Sequence, residues 1–264
     1  MKPSILFIGA GRMAEAIISG LHNKGQKQIN QIFVGNRSNS DKLKELEDRY
    51  GIIPVNQLQD CINQVDIIVL AMPPNEHEVV LENLFSFISN QFIVTIAAGM
   101  GPESLEKRLP YGTAVGWIMP NTAAEVGRSI SLYTYGQFIK NEHKQQMEIL
   151  VNAIGDSQYC TEEEIHKLTA ITGSAPAFLY QFAEILISMT EDMGVERNIA
   201  QKLVTEMVIG SAEMLKTGKL PMELRDQVTT PGGATAAGLE VLKKGHFGQL
   251  VKEAVIATNK KAKG

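Results

Sequence analysis

The sequence predicts an α/β N-terminal domain with a parallel sheet, followed by an all-α C-terminal domain. Three observations support this fold class. Short apolar runs alternate with helical patterns in the first half of the 264-residue chain, a helix-capping pattern stands at residues 161–164, and helical patterns almost without strands follow it. We therefore expect one domain at residues 1–160 and a second at residues 161–264.

The first domain is expected to consist of βαβ units. Its apolar runs are rich in Ile, Val, Leu and Phe and show little polar alternation, as in strands that are covered on both faces. Helical patterns lie between these runs or follow the last of them. The predicted strands are residues 4–8, 32–35, 66–71, 92–95, 113–118 and 129–133, and the predicted helices are residues 13–23, 41–50, 76–87 and 140–153.

The second domain is expected to assemble with another copy of the chain. Its helix at residues 172–193 is apolar nearly all round and stops near Gly194, and a second helix covers residues 197–216. Shorter helices follow Leu220, Thr235 and Phe247. Because an all-round apolar helix must be buried on every side, we predict a homodimer or higher homo-oligomer.

Composition excludes several partner classes. The net charge is −4, and no basic stripe for nucleic acid is visible. No uninterrupted apolar run reaches the roughly 20 residues that a membrane-spanning helix needs. The two cysteines, Cys61 and Cys160, are far apart, which is typical of free thiols in a reducing cytoplasm. The five histidines stand in polar contexts and are expected at the surface, and no metal-ligand spacing occurs.

A glycine-rich loop between the first strand and the first helix predicts a dinucleotide site of the Rossmann type. This loop has the G-x-G-x-x-A spacing, in which the first glycine permits a tight turn and the second lets a pyrophosphate approach the backbone. The helix start then supplies free N–H groups and a favourable dipole. The loop consists of Gly9, Ala10, Gly11, Arg12, Met13 and Ala14.

The end of the second strand favours NADPH over NADH, although NADH could also serve. NAD enzymes usually carry an acidic residue about 20 residues after the glycines. Here the chain has Asn36, Arg37 and Ser38 instead, and no acid occurs before Asp41. Arg37 can bind a 2′-phosphate and stack on adenine. The alternative is a solvated turn, in which Asn, Arg and Ser are ordinary residues.

Later strand ends should lie at the same edge of the sheet. Ala71, Met72 and Pro73 follow one strand, and Ala97 and Gly99 follow the next. These residues either form an apolar wall beside the nicotinamide or simply end their strands.

Asn121 ends a further strand and could either fix a ligand or cap a turn. A cluster of small and hydroxyl residues before a predicted helix could bind a carboxylate, or it could be a helix-linking turn. Its members are Thr230, Gly232, Gly233, Ala234 and Thr235.

Several segments together resemble the pyrroline-5-carboxylate reductases, enzymes that reduce a cyclic imine with NAD(P)H. The most specific segment is residues 224–235, and the others are residues 9–14, 97–99, 119–122 and 172–178. The resemblance implies reduction of 1-pyrroline-5-carboxylate to L-proline, the last step of proline biosynthesis. It also implies a helical domain that interlocks with a second subunit and places the active site at the dimer interface. Thr230, Gly233 and Ala234 would hold the substrate carboxylate, and Thr235 would hydrogen-bond to the ring nitrogen.

Two departures from the family pattern keep a second hypothesis open. Pro73 stands where Lys is common, and Trp117 stands where Arg is usual. A non-catalytic, NADP-binding relative with a regulatory role is therefore one alternative. A β-hydroxyacid dehydrogenase is another, but such enzymes resemble one another in a helical Gly-x-x-Gly-x-x-x-Lys motif. Here no Lys occurs between Lys167 and Lys202.

Overall fold

The computed structural model describes residues 2–25, 28–37 and 40–262. These residues form two compact units. The first takes in the described residues up to Gly173 together with those from Asn259 onward, and the second is Ser174–Thr258. The predicted domain boundary after residue 160 lies one short helix before this division, and it stays a prediction.

One sheet organises the first unit. Its strand order within the described residues is β3-β2-β1-β4-β5-β6-β7-β8, and strands β1 to β6 are mutually parallel. The carboxyl ends of these six strands therefore share one edge. The strands are β1 (Ile5–Ile8), β2 (Ile32–Gly35), β3 (Ile53–Val55), β4 (Ile67–Leu70), β5 (Phe92–Thr95), β6 (Val115–Met119), β7 (Ser129–Tyr135) and β8 (Gly155–Tyr159).

The predicted parallel sheet is confirmed for β1 to β6, but the predicted strand at residues 129–133 runs in the opposite direction. Strand β7 pairs antiparallel with β6, and β8 pairs parallel with β7. Only a 3₁₀ helix at Thr122–Val126 separates β6 from β7. This connection is too short for the crossover that a parallel pair requires, so β7 returns in the opposite direction.

Apolar side chains cover both faces of the sheet. Along β1, Ile5 and Phe7 join one core cluster, whereas Leu6 and Ile8 join another, as the alternation of a strand requires. Helices α1 and α5 pack into the first cluster, and α3 packs into the second. The helices of this unit are α1 (Arg12–Gly25), α2 (Ser40–Tyr50), α3 (His77–Leu84), α4 (Pro102–Glu106), α5 (Asn141–Ile154) and α6 (Glu162–Thr169).

Strands β3 and β8 were missed by the sequence analysis. Strand β3 has three residues, one of them Pro54, and Ile53 is exposed. Strand β8 has the polar sequence GDSQY. Edge strands that lack an apolar run give almost no sequence signal.

The capping pattern at the start of α6 is confirmed. The hydroxyl of Thr161 accepts from the N–H of Glu164 at 3.2 Å, and the Glu164 carboxylate accepts from the N–H of Thr161 at 2.8 Å. A π-helical turn at Ala170–Ser174 follows α6.

The second unit is helical, as predicted. Helix α7 leaves its apolar side chains exposed within a single chain: Leu179 is 48% exposed and Ile185 is 50% exposed. The stretch Glu162–Asp192 has the length and apolar composition of a membrane-crossing helix, a property that core helices share. The helices that lie wholly or largely in this unit are α7 (Ala175–Asp192), α8 (Arg197–Leu215), α9 (Pro221–Gln227), α10 (Ala234–Lys244) and α11 (Phe247–Ala262).

Candidate active site

The loop after β1 takes its shape from Gly9. The φ of this residue is +106°, and a Cβ there would lie 2.8 Å from the backbone oxygen of Ala71. The Gly9 N–H also donates to the Gly35 carbonyl at 2.8 Å. The loop is thus held between the ends of β2 and β4, and only glycine fits at this position.

The face of the loop at Gly11 is open. A Cβ on Gly11 would meet nothing within 4 Å, and α1 begins at the next residue. The Glu15 N–H donates to the Gly11 carbonyl at 3.0 Å, which closes the first helical turn. N–H groups earlier in that turn have no helical acceptor, so this surface suits an anion.

The other residues of the predicted loop have separate surroundings. Ala10 and Ala14 are buried, and Met13 packs against the core. Arg12 extends to the surface, where its guanidinium lies 2.8 Å from the Glu125 carboxylate. The small Ala14 side chain lets α1 pack closely on the sheet, as the third position of the motif requires.

A cleft of about 300 Å³ opens at the ends of β1 to β4. Gly9, Asn36 and Arg37 line this cleft, which brings the glycine loop and the predicted phosphate-binding residues together. The Arg37 guanidinium lies 3.6 Å from the Glu76 carboxylate, and both side chains are well exposed. Ser38, which was also predicted to bind the cofactor, lies outside the described residues.

Sequence reasoning missed part of this cleft. The turn after β3 contributes Asn56, Gln57 and Gln59, and the region of α3 contributes Glu76 and Asn83. The short apolar run Ile52–Val55 before Asn56 could have indicated a strand, but the proline within it argued against that assignment.

The loops after β4 and β5 lie at the same sheet edge. Met72 and Ala97 are buried, whereas Pro73 and Gly99 are exposed and Ala71 is half-buried. Strands β4 and β5 are parallel neighbours in register from Ile67 to Leu70, so their following residues are adjacent. The predicted wall residues are therefore brought together.

The expectation that the histidines lie at the surface was wrong for His77 and His143. His77 is fully buried, with its ring nitrogens 3.1 Å from the Pro73 carbonyl and 2.9 Å from the Thr95 hydroxyl. Burial lowers the pKa of His77. His143 is also buried, stacks on Phe92 and has a lowered pKa for the same reason. Their polar sequence neighbours concealed both positions.

Trp117 is buried beneath the loop after β5. It is 1% exposed, and its indole N–H donates to the Ala97 carbonyl at 3.0 Å. The His166 ring lies against it, with the ring centroids 5.0 Å apart. The family's usual Arg at this position is thus replaced by a packed aromatic side chain that also supports the loop.

Asn121 caps the turn after β6. Its side-chain oxygen accepts from the Ala123 N–H, and its side-chain nitrogen donates to the Thr172 carbonyl, both at 3.0 Å. The residue thereby ties the end of β6 to the π-helical turn. The geometry shows the capping alternative, and a role of Asn121 in substrate binding stays a prediction.

The predicted carboxylate-binding turn, residues 230–235, lies within the second unit, between α9 and the first turn of α10. Gly232 has φ +73°, and the Gly233 N–H donates to the Thr230 carbonyl at 2.9 Å. A Cβ on Gly233 would overlap the Thr230 hydroxyl. Gly233 is the N-cap of α10 and supplies no side-chain cap, so the helix starts with uncapped N–H groups at Ala234 and Thr235.

Comparisons with known proteins agree with these features. The family model for pyrroline-5-carboxylate reductase dimerisation matches residues 162–264, and one for NADP oxidoreductase, coenzyme F420-dependent, matches residues 4–99. Pyrroline-5-carboxylate reductase 1 of Bacillus subtilis is 35% identical over 99% of this chain and 89% of its own length. The Staphylococcus epidermidis reductase is 31% identical over 91% of this chain and 89% of its own length.

Solved structures give the same result. The pyrroline-5-carboxylate reductase from Coxiella burnetii superposes with a TM-score of 0.90 at 30% identity, over 100% of this chain and 98% of that one. The Plasmodium falciparum pyrroline carboxylate reductase with NADP bound has a TM-score of 0.88 at 28% identity, over the same shares of the two chains.

The fold and these relatives define the class of the protein, an NAD(P)H-dependent oxidoreductase that acts on a C=N bond. The helical unit is a dimerisation domain, so the chain forms a homo-oligomer. The chain belongs to the pyrroline-5-carboxylate reductase family. Its function is the reduction of 1-pyrroline-5-carboxylate to L-proline, the last step of proline biosynthesis, and a β-hydroxyacid dehydrogenase is not supported.

Proposed function

We propose that the chain prefers NADPH because Arg37 and Asn36 bind the 2′-phosphate of the cofactor. Both residues line the cleft at the end of β2, beside the glycine loop. The contact between Arg37 and Glu76 is long and exposed, and such pairs contribute little stability. A 2′-phosphate offers Arg37 a stronger, bidentate partner, so the guanidinium would leave Glu76 when the cofactor binds.

The pyrophosphate is assigned to the start of α1. The open face of Gly11 lets the phosphate oxygens reach the first-turn N–H groups, and the helix dipole favours their charge. The loops after β4 and β5 are assigned to the nicotinamide. Their small and apolar residues, Ala71, Met72 and Ala97, would exclude water from one side of the ring.

The substrate carboxylate is assigned to the turn before α10. This turn is the main structural support for a substrate that bears a carboxylate. The N–H groups of Ala234 and Thr235 and the hydroxyl of Thr230 can converge on one anion, because glycines at 232 and 233 fold the backbone around that point. A cyclic imine that bears a carboxylate matches such a site. The turn lies inside the segment that the dimerisation family model covers.

The reaction requires positioning more than acid–base catalysis. NADPH, when bound, supplies the hydride that reduces the C=N bond. A protonated imine is already electrophilic, so the chain must anchor the carboxylate and orient the ring. Thr235 would hydrogen-bond to the ring nitrogen. Its hydroxyl is too weak an acid to protonate the imine outright, so we assign it an orienting role, or the relay of a proton from water.

We infer that the homo-oligomer contains a dimer in which α7 is covered by a second copy of the chain. The exposed apolar side chains of α7 support this, because a soluble enzyme seldom leaves such a surface open. The buried free thiols Cys61 and Cys160 support a reducing compartment, and we propose the cytoplasm.

The first experiment follows NADPH absorbance as the purified protein acts on 1-pyrroline-5-carboxylate, with NADH in parallel. We expect turnover that is faster with NADPH. Thr235→Val should lower kcat about tenfold or more and leave the NADPH Kd unchanged, because it removes only the orienting hydroxyl. Thr235→Ser keeps the hydroxyl and should recover most of the rate. NADPH binding without turnover in the unmodified protein would indicate a non-catalytic relative instead.

A further inference from the structure

A network of hydrogen bonds connects the ends of β4 and β5 with β6, and His77 lies at its centre. His77 is the first residue of α3, and both His77 and Thr95 are fully buried. One ring nitrogen, Nδ1, lies 3.1 Å from the Pro73 carbonyl oxygen, and the other, Nε2, lies 2.9 Å from the Thr95 hydroxyl oxygen. The imidazole therefore connects the loop after β4 with the last residue of β5.

The chemistry of the hydrogen-bonding groups fixes the donor and the acceptor of each bond in this network. The Pro73 carbonyl can only accept, so Nδ1 carries the proton. In a neutral ring Nε2 then accepts, and the Thr95 hydroxyl donates to it. The Thr95 oxygen in turn accepts from the Ala97 N–H at 3.1 Å. The Trp117 indole N–H donates to the Ala97 carbonyl at 3.0 Å, which extends the hydrogen-bond network to β6.

The protonation state of His77 agrees with this hydrogen-bond arrangement. Burial lowers its pKa below the ordinary value of 6.5, so the ring is neutral at pH 7. Each of the polar groups in this network then has a hydrogen-bond partner, as buried polar groups require. Removing the Thr95 hydroxyl would leave His77 Nε2 and the Ala97 N–H without these partners in an apolar environment.

The hydrogen-bond network connects the two loops that we assign to the nicotinamide. Pro73 belongs to the loop after β4, and Ala97 belongs to the loop after β5. Trp117, whose indole N–H belongs to this network, is one of the positions at which the sequence departs from the family pattern.

We propose that His77 and Thr95 are positioning residues, which hold the loops after β4 and β5 at the spacing that hydride transfer needs. Neither side chain touches the substrate in this proposal, and both act through Pro73 and Ala97. It rests on the assignment of these loops to the nicotinamide. Small misplacements of reacting groups can reduce rates by about 100-fold, so a loosened loop should lower kcat clearly.

Thr95→Val provides the sharpest test, because valine keeps the shape of threonine and removes the hydroxyl. We expect kcat to fall about tenfold and the Kd for NADPH to rise about threefold in protein that remains folded. Thr95→Ser retains the hydroxyl and should restore most of both losses. Trp117 is the only tryptophan in the chain. Its emission should therefore shift in the valine variant and return in the serine variant.

A double variant tests whether the two residues act as one unit. His77→Leu should cost about as much as Thr95→Val, and the double variant should lose little more than the worse single one. Where His77→Leu does not fold, the paired threonine variants decide alone. The proposal is overturned if Thr95→Val keeps the kcat and NADPH affinity of the unmodified protein, even with a lowered Tm, because that result indicates a purely structural role.

The outcomes for this proposal and for the proposed function are separate. An unmodified protein that never reduces 1-pyrroline-5-carboxylate would contradict the assigned function. In that case, the NADPH affinities of the Thr95 variants would still decide: a rise in Kd for valine that serine reverses supports the proposal, and equal affinities overturn it.

Discussion

At the scale of single residues, the proposed preference for NADPH depends on whether Arg37 pairs with Glu76 or with a 2′-phosphate. The guanidinium and the carboxylate lie 3.6 Å apart within the same cleft. A bound 2′-phosphate would meet an attractive Arg37 and a repulsive Glu76, so these two side chains oppose each other in setting the preference.

Arg37→Ala should weaken NADPH binding about tenfold or more, and NADH binding much less. The variant removes a charge-assisted contact that only the 2′-phosphate makes. Fluorescence titration of both cofactors measures the two affinities. Lys107→Ala is the matched control, because it removes a cation from an exposed pair with Glu103 that does not line the cleft. Equal losses for both cofactors would contradict the assignment of Arg37.

Glu76→Gln should act in the opposite direction. The change removes the carboxylate and keeps the size of the side chain, so NADPH should bind a few times more tightly while NADH is little affected. The gain should shrink as salt is raised, because exposed charges are screened. An unchanged ratio of the two affinities would show that Glu76 lies too far from the bound phosphate to influence it.

At the scale of elements, the sequence was most informative where a residue type has only one structural use. The loop at Gly9 and the turn at Gly232–Gly233 were both predicted, because closely spaced glycines beside a strand or a helix start usually mark a backbone that a side chain would obstruct. Strand β3 was missed because three residues around Pro54 carry no period. Asn56 was therefore missed as well, although this residue lines the cleft at the ends of β1 to β4.

Burial of polar residues was the harder prediction. The sequence around His77 is Asn-Glu-His-Glu, which suggests a surface turn. The partner that makes its burial favourable is Thr95, 18 residues away on another strand. Such a pairing depends on strand order, which a local pattern does not contain. The direction of β7 was mispredicted for a similar reason, since the parallel expectation followed from the βαβ units before it.

Gly9→Ala tests the link between the loop and the sheet. The new Cβ would lie 2.8 Å from the Ala71 carbonyl oxygen, on a residue with φ +106°. We expect a loss of about 2 kcal/mol or more in the free energy of unfolding, and NADPH binding weakened at least tenfold. Gly51→Ala is the control. Gly51 also has a positive φ, but a Cβ there meets nothing within 4 Å. It should cost about 1 kcal/mol and leave NADPH binding unchanged.

At the scale of the whole molecule, the helical unit cannot be explained by one chain alone. Helix α7 has no fully buried residue, and Leu179, Ile185 and Met189 are each about half exposed. The same unit contains the turn before α10 to which we assign the substrate carboxylate. Family membership and exposed apolar surface both support the proposal that a second copy covers this unit in the working enzyme.

Ile185→Glu should separate the subunits and abolish turnover together. A carboxylate on α7 would be buried without a partner at the inferred interface, which typically costs several kcal/mol and so weakens association by about 100-fold or more. Light scattering after size exclusion gives the mass, and NADPH oxidation gives the rate. Phe85→Glu is the control, because Phe85 is equally exposed but lies in the sheet unit. A dimer that persists in Ile185→Glu with full turnover would show that α7 lies outside the interface, whereas an active monomer would show that one chain suffices for catalysis.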